Sequence, residues 1–260
     1  MSWRDATDGP FMLAPSSWSV DVLERRLLEA HRECAQMCME ANHGSLAMTL
    51  SGGLDSTLSL AMLRSIYPGS DIRTYTVGGS RKHPDLQFGE MAARTFGCTP
   101  CLVIPTRLER IRVRKELAAH GSQVTDGAVG VYCLYRRLAK DKARIAIAHD
   151  GIDELMGGYW NHRASDDEQK MRSAFEYFWS RLVPDHLLPL ERTAVRAGAR
   201  PVFPYLHPRV VAYIARIPLT DRTSREESKK PLRALARRFG VPEEIIARTK
   251  RGFCDALCKA

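Results

Sequence analysis

Leu46-Ala47-Met48-Thr49-Leu50-Ser51-Gly52-Gly53-Leu54-Asp55-Ser56-Thr57 is the stretch whose reading decides the fold. Its first five residues are mostly apolar and predict a buried strand, Leu46 to Leu50. Ser51-Gly52-Gly53 lets the backbone turn sharply and approach a ligand closely, and Leu58, Leu60, Ala61 and Leu63 continue as a helix. A glycine turn between strand and helix presents the free N–H groups and positive dipole end of the helix to an anion, and Ser51, Ser56 and Thr57 add hydroxyls. Asp55 would repel a bound phosphate unless a divalent cation stood between them, so the combination points to a magnesium-bound nucleotide. The chain has no G-x-x-x-x-G-K-[ST], so this turn is not a P-loop.

Outward from this turn the chain alternates. Residues 1–17, with Gly9-Pro10 and Pro15, predict an extended lead-in to a domain over 18–260. Asp21 and Glu24 suggest a capping box for an amphipathic helix over Leu23 to Ala41. After the helix that follows the turn come a strand at Ile72 to Val77, a helix at Asp85 to Phe96 and a strand at Leu102 to Ile104. Helices near 107–119 and 127–140 precede a strand at Arg144 to Ala148. Strand and helix in alternation imply an α/β fold, a doubly wound parallel sheet over about 44–160 with its ligand at the carboxyl ends of the strands. Beyond Tyr159 the strands are expected to stop, and helical patterns near 166–182, 186–197, 207–216 and 224–239 form a C-terminal helical cover, about 161–255.

Composition narrows the setting. No run of about 18 apolar residues occurs, which excludes a membrane-spanning helix. The first 20 residues lack an apolar signal segment, and seven cysteines in a chain of 260 residues suit a reducing, cytoplasmic environment. Cys34 and Cys38 read as core thiols; Cys98-Thr-Pro-Cys101 is a C-x-x-C pair with no second pair to complete a zinc set; Cys254 and Cys258 fall near the chain end. A net charge of +9 suits anionic partners: ATP first, with nucleic acid admitted but not favoured.

The S-G-G-L-D-S turn after a strand resembles the pyrophosphate loop of the ATP-pyrophosphatase superfamily, which cleaves ATP to AMP and pyrophosphate. His149-Asp150-Gly151-Ile152-Asp153-Glu154-Leu155-Met156-Gly157-Gly158-Tyr159 directly follows the Arg144–Ala148 strand, and it resembles the asparagine synthetase motif S-G-E-G-A-D-E-L-F-G-G-Y. Pro204-Tyr205-Leu206-His207 resembles P-F-L-D; Lys229 to Arg233 resembles K-x-x-L-R; Val241 to Ile245 and Arg248 to Phe253 resemble L-P-x-x-I and R-x-K-x-G-F. The resemblance covers about residues 20–253 and implies an adenine nucleotide alpha hydrolase-like fold and an AMP-forming carbon–nitrogen ligase that uses ATP and Mg²⁺.

It implies that Ser51, Gly52, Gly53 and Ser56 hold pyrophosphate, Asp55 and Asp153 hold the metal, and Leu50, Val77, Gly78 and Gly151 contact the rest of ATP. Lys229 would neutralise charge at the transferring phosphate, with Lys230 as the neighbouring alternative, and Asp150 would be a base. Counting back from Pro204 places Arg200 near a substrate carboxylate or phosphate, and together with the shortened Asp150 this implies an acid other than aspartate. The synthetases' glutaminase domain has no room in the roughly 45 residues before the first strand, so the nitrogen is expected from ammonia, an amine, or a separate amidotransferase or carrier protein. Two other readings stand beside this one: nucleobase or tRNA thiolation, favoured by the basic charge and the C-x-x-C pair, and a non-catalytic binding subunit.

Overall fold

The computed structural model describes residues 3–9, 11–121, 124–249 and 257. Among these residues five parallel strands, β1 (Leu46–Thr49), β2 (Ile72–Val77), β3 (Thr99–Val103), β4 (Ile145–Ile147) and β5 (Arg200–Val202), lie in the order β3-β2-β1-β4-β5. The order reverses between β1 and β4, so the chains leaving these two strands diverge and open a crevice at their carboxyl ends.

The helices are α1 (Trp3–Thr7), α2 (Val20–Ala41), α3 (Leu54–Ile66), α4 (Pro84–Thr95), α5 (Arg107–Ala119), α6 (Asp126–Lys140) and α7 (Ile152–Met156). They continue as α8 (Glu168–Arg181), α9 (Leu188–Ala197), α10 (Pro208–Ile214), α11 (Leu219–Arg222), α12 (Lys230–Arg238) and α13 (Glu243–Ile246). Neighbouring residues of β2 show that both faces are covered. Thr76 packs under Gly89 of α4, while the Tyr75 hydroxyl donates to Asp141, just past α6, at 3.2 Å. Because consecutive strand residues face opposite sides, α4 and α6 flank the sheet from opposite faces and the winding is double. Among the described residues no helix is long and apolar enough to cross a membrane.

Several expectations are corrected. Ser19, not an Asp21–Glu24 box, caps α2: its hydroxyl accepts from Val22 N at 3.2 Å, and Asp21 and Glu24 both hold Arg238 instead, at 2.7 and 2.5 Å. The third strand begins at Thr99 rather than Leu102 and takes in Pro100, which β3 tolerates as an edge strand. Part of the lead-in is helical, with Trp3 and Ala6 of α1 buried. Strands do not stop at Tyr159, for β5 adds to β4 as a second short edge that also contains a proline. The two helices expected over 166–197 are joined without a break by a π-helical segment, Leu182–Leu187, which holds Pro184. A π-turn there absorbs a residue that cannot donate to a regular helix. The helix expected from 224 begins at Lys230. Cys34 and Cys38 are core thiols, and burial raises them to about 12 and about 11. Lys250, Gly252, Phe253, Cys254 and Cys258 lie outside the described residues.

Candidate active site

The turn after β1 is built for close approach. Gly52 has φ +66°, and a Cβ there would stand 2.3 Å from Gly89 N and from the Phe88 carbonyl carbon. Only glycine lets α4 press this loop into place. Ser51 and Ser56 hydroxyls lie 3.1 Å apart and Ser56 Oγ donates to Gly53 O at 3.2 Å, so the loop closes over its own hydroxyls. Gly53 caps α3 without a side-chain bond, so no side chain of its own occupies the N–H groups of the first turn. Leu50 is buried beneath, its carbonyl accepting from Thr76 Oγ1 at 2.5 Å.

Two carboxylates from different strand ends converge above the loop. Asp55, in the first turn of α3, and Asp153, in the first turn of α7, approach Lys229 Nζ at 2.5 and 2.7 Å. Burial pulls the Lys229 ammonium toward neutrality, but Asp153 and Asp55 together outweigh it and hold the group above its ordinary value. Lys229 is buried and takes a left-handed conformation (φ +54°, ψ 40°), a strained setting for lysine that aims its side chain inward before α12 begins. Gly158 lies against the pair: a Cβ on it would fall 1.7 Å from Asp153 Oδ1 and 2.6 Å from Lys229 Cε. Lys230 turns away and donates to Thr220 O at 2.9 Å, so the register along this segment places Lys229, and not its neighbour, between the carboxylates.

Around this centre stand groups whose roles the sequence reading did not foresee. Glu154 is buried beside Asp153; burial first, then that neighbour, raises its carboxyl, against the Tyr159 hydroxyl that donates to it at 2.8 Å. Arg248 donates to Ser51 O at 3.0 Å, pairs with Asp85 and stacks 4.5 Å over Phe88, clamping the turn from outside. The R-x-K motif located Arg248 without assigning it this contact. The Tyr205 hydroxyl donates to Asp55 O at 2.9 Å, with the His31 ring edge-on to it at 5.6 Å. His31 is buried between Leu27 O and Ser59 Oγ, and burial lowers it to about 4. His149 is lowered to about 3 by burial, with His31 adding. His207, where the resemblance has aspartate, caps α10 by accepting from Arg209 N at 3.2 Å and touches Glu33 at 3.1 Å.

The remaining expected positions divide. Asp150 stands 2.5 Å from His186 of the π-helical segment; burial pushes its carboxyl up, but the His186 bond and charge pull it below the ordinary value. Val77 is buried at the carboxyl end of β2, where Gly78 leaves no room for a Cβ beside Leu86. Gly151 (φ +89°) is fixed by packing, since a Cβ there would meet Leu206 Cδ2 at 2.4 Å. Arg200 does not belong to this cluster. It opens β5 opposite Ile145, bonds Arg144 O at 2.8 Å, and is exposed at the amino end of a parallel sheet whose carboxyl end carries the site.

Could the residues present hold Mg²⁺? Among the described residues no group of three or more His, Cys, Asp or Glu converges as a metal cage. Two carboxylates already gathered around one cation, beside a loop suited to phosphate, match an ion that takes one or two protein carboxylates and completes its shell with substrate oxygens and water. The residues fit such an ion, with Asp55 and Asp153 the carboxylates that would hold it.

Fold and site together define an α/β protein with a glycine turn open at a helix start and two carboxylates gathered on a buried lysine at its switch point. The asparagine synthase profile matches residues 26–171 and 160–260, and the chain belongs to that family. It is 25% identical over 257 residues to asparagine synthetase [glutamine-hydrolyzing] of Gallus gallus, covering 94% of this chain and 45% of that protein, so it spans less than half the relative's length. Among solved structures it resembles NMN synthetase from Francisella tularensis (14% identity, TM-score 0.49, 92% of this chain and 78% of that one). It also resembles NAD+ synthetase from Burkholderia pseudomallei (13% identity, TM-score 0.38, 90% and 92%).

Proposed function

We propose that the chain is an ATP-dependent ligase that adenylates a substrate carboxylate, releases pyrophosphate, and joins the acyl group to ammonia or an amine. The observation that carries this is the Asp55–Lys229–Asp153 bridge above the Ser51–Ser56 turn, at the point where strand order reverses. Ser51, Gly52, Gly53 and Ser56 receive the β- and γ-phosphates through hydroxyls and helix-start N–H groups. Leu50, Val77 and Gly78 line the nucleoside side at the ends of β1 and β2. Asp55 and Asp153 would hold Mg²⁺, which would supply neutralisation of the phosphate charge. Lys229 offers its ammonium to the charge that develops as pyrophosphate leaves, an interaction stronger in the transition state than before it. Asp150, kept ionised by His186, stands on the second loop to take a proton from the attacking nitrogen.

The C-x-x-C pair gives thiolation little support. Burial raises both thiols, Cys98 receives a bond from Arg64 at 3.1 Å, and Cys101 lies within edge strand β3. The deciding experiment incubates the protein with Mg-ATP and a panel of carboxylic acids, supplying ammonium or glutamine in parallel. AMP and an amide with ammonium is the expected result; glutamate release from glutamine would refute the nitrogen assignment, and AMP formation requiring tRNA and a sulfur donor would refute the ligase.

A further inference from the structure

Arg222, at the end of α11, is 1% exposed, yet no carboxylate pairs with it among the described residues. Its Nε donates to Ile217 O at 2.9 Å and its Nη1 to Leu155 O at 3.0 Å, while Nη2 has no acceptor among the described residues. Arginines this buried ordinarily meet an acid, because carbonyl dipoles repay only part of the desolvation of a full charge. Burial, with Arg172 adding repulsion, lowers the guanidinium to about 9.

This guanidinium lines a cavity of about 180 Å³. Arg172 of α8 stands on the same cavity with Glu168, and neither arginine is ion-paired to that carboxylate, so the lining carries a net charge of one positive unit. Apolar Met12, Leu13 and Leu219 share the lining, with Met12 Sδ 3.9 Å from an Arg172 guanidinium nitrogen and Leu219 one turn before Arg222 on α11. The lead-in that supplies Met12 and Leu13 is held as a strap, with Leu13 N bonded to Ala215 O at 2.8 Å and Ser16 N to Arg216 O at 3.2 Å. Two guanidinium groups, one with an unused donor, beside apolar side chains in a space too small for a nucleotide describe one ligand chemistry.

We propose that this cavity binds a small monocarboxylate with a short apolar chain, its carboxylate on Arg222 and Arg172 and its chain against Met12, Leu13 and Leu219. The planar guanidinium fork suits a carboxylate, and the ligand supplies Arg222 with the acid that the described residues do not give it. The pocket is distinct from the Asp55–Lys229–Asp153 centre but joined to it, since Arg222 grips Leu155 O at the end of α7, whose first turn holds Asp153.

Calorimetric titration of the full chain with hexanoate and, separately, with inorganic phosphate tests this. Hexanoate is expected to bind saturably and more tightly than phosphate. Arg172→Gln, at an exposed position that the fold tolerates, should weaken it at least tenfold, Arg222→Lys should weaken it likewise, and Asp55→Asn should leave it unchanged. Absence of saturable binding overturns the proposal, as does affinity unchanged in both arginine variants, phosphate binding more tightly than hexanoate, or displacement of hexanoate by ATP.

Discussion

Replacing Lys229 with methionine keeps the length of the side chain and removes the charge that holds Asp55 and Asp153 together. Lys229 keeps 5% of its side-chain surface and the two aspartates keep 18% and 14%, so the variant leaves two nearly buried carboxylates facing one another without the lysine's charge. Removing one partner from a buried pair costs about 3–5 kcal/mol, and the residual solvent on the aspartates argues for the lower end, about 3 kcal/mol. At roughly 2–4 °C per kcal/mol for a chain of this size, the melting temperature should fall by about 6–12 °C in the presence of a chelator. The same vacated charge should make the variant a better binder of bare Mg²⁺ than the parent, whose ammonium must first be displaced. At about a hundredfold excess over its Kd the ion returns roughly 2.7 kcal/mol. Thermal unfolding of both proteins, with chelator and with Mg²⁺, reads this out. A variant as stable as the parent in chelator, or one that Mg²⁺ does not stabilise, would refute the reasoning that these carboxylates form a cation centre.

The same geometry makes further claims. Lys229→Ala should lower AMP formation by roughly 100-fold or more while Mg-ATP binding changes much less, and Lys230→Ala should stay within about twofold; steady-state kinetics with the best acid of the panel would expose a reversed order. Gly158→Ala should cost roughly 100-fold in the same assay with little loss of fold by circular dichroism, because its Cβ must displace the Asp153 carboxylate; retention of parental rates would mean that the carboxylate's position is unimportant. His31, held to about 4, stays neutral in the fold but takes a proton in the unfolded chain below its ordinary value of 6.5. Its stabilising contribution is thus complete above pH 6.5 and is lost as pH falls toward 4, about 2 kcal/mol of it by pH 5. His149, lowered to about 3, acts in the same direction. Urea unfolding at pH 7 and pH 5 should show His31→Gln losing less stability than the parent over that interval, and an equal loss would remove His31 from the account.

What the sequence made legible is whatever repeats locally. The β1–turn–α3 unit declares itself by an apolar run, glycines where the chain must bend and helical spacing afterwards, and α2 to α4 and α6 follow from periodicity. Strand β5 escaped because three residues containing Pro201 carry no alternation, and missing it placed Arg200 beside a site that sits at the other end of the sheet. Spacing counted back from Pro204 measures chain length, not direction. The π-helical segment escaped because Pro184 reads as a helix break, and so the approach of His186 to Asp150, 36 residues apart, was invisible. Asp55, Asp153 and Lys229 were nameable from their motifs, but their convergence comes from tertiary structure: the switch point brings the two loops together, and a left-handed residue turns the lysine inward. Arg248 shows the same limit, for its partners Ser51, Asp85 and Phe88 belong to two other segments of the chain.

The central claim, that Asp55, Asp153 and Lys229 serve the activation of a carboxylate by ATP, is tested most directly by following oxygen. A carboxylic acid labelled with heavy oxygen is incubated with Mg-ATP and ammonium, and AMP is isolated for mass spectrometry. The account predicts AMP and pyrophosphate in equal amounts, a labelled oxygen in AMP, and loss of all three signals in Asp153→Asn. AMP without label, ADP in its place, or undiminished turnover in Asp153→Asn would contradict it.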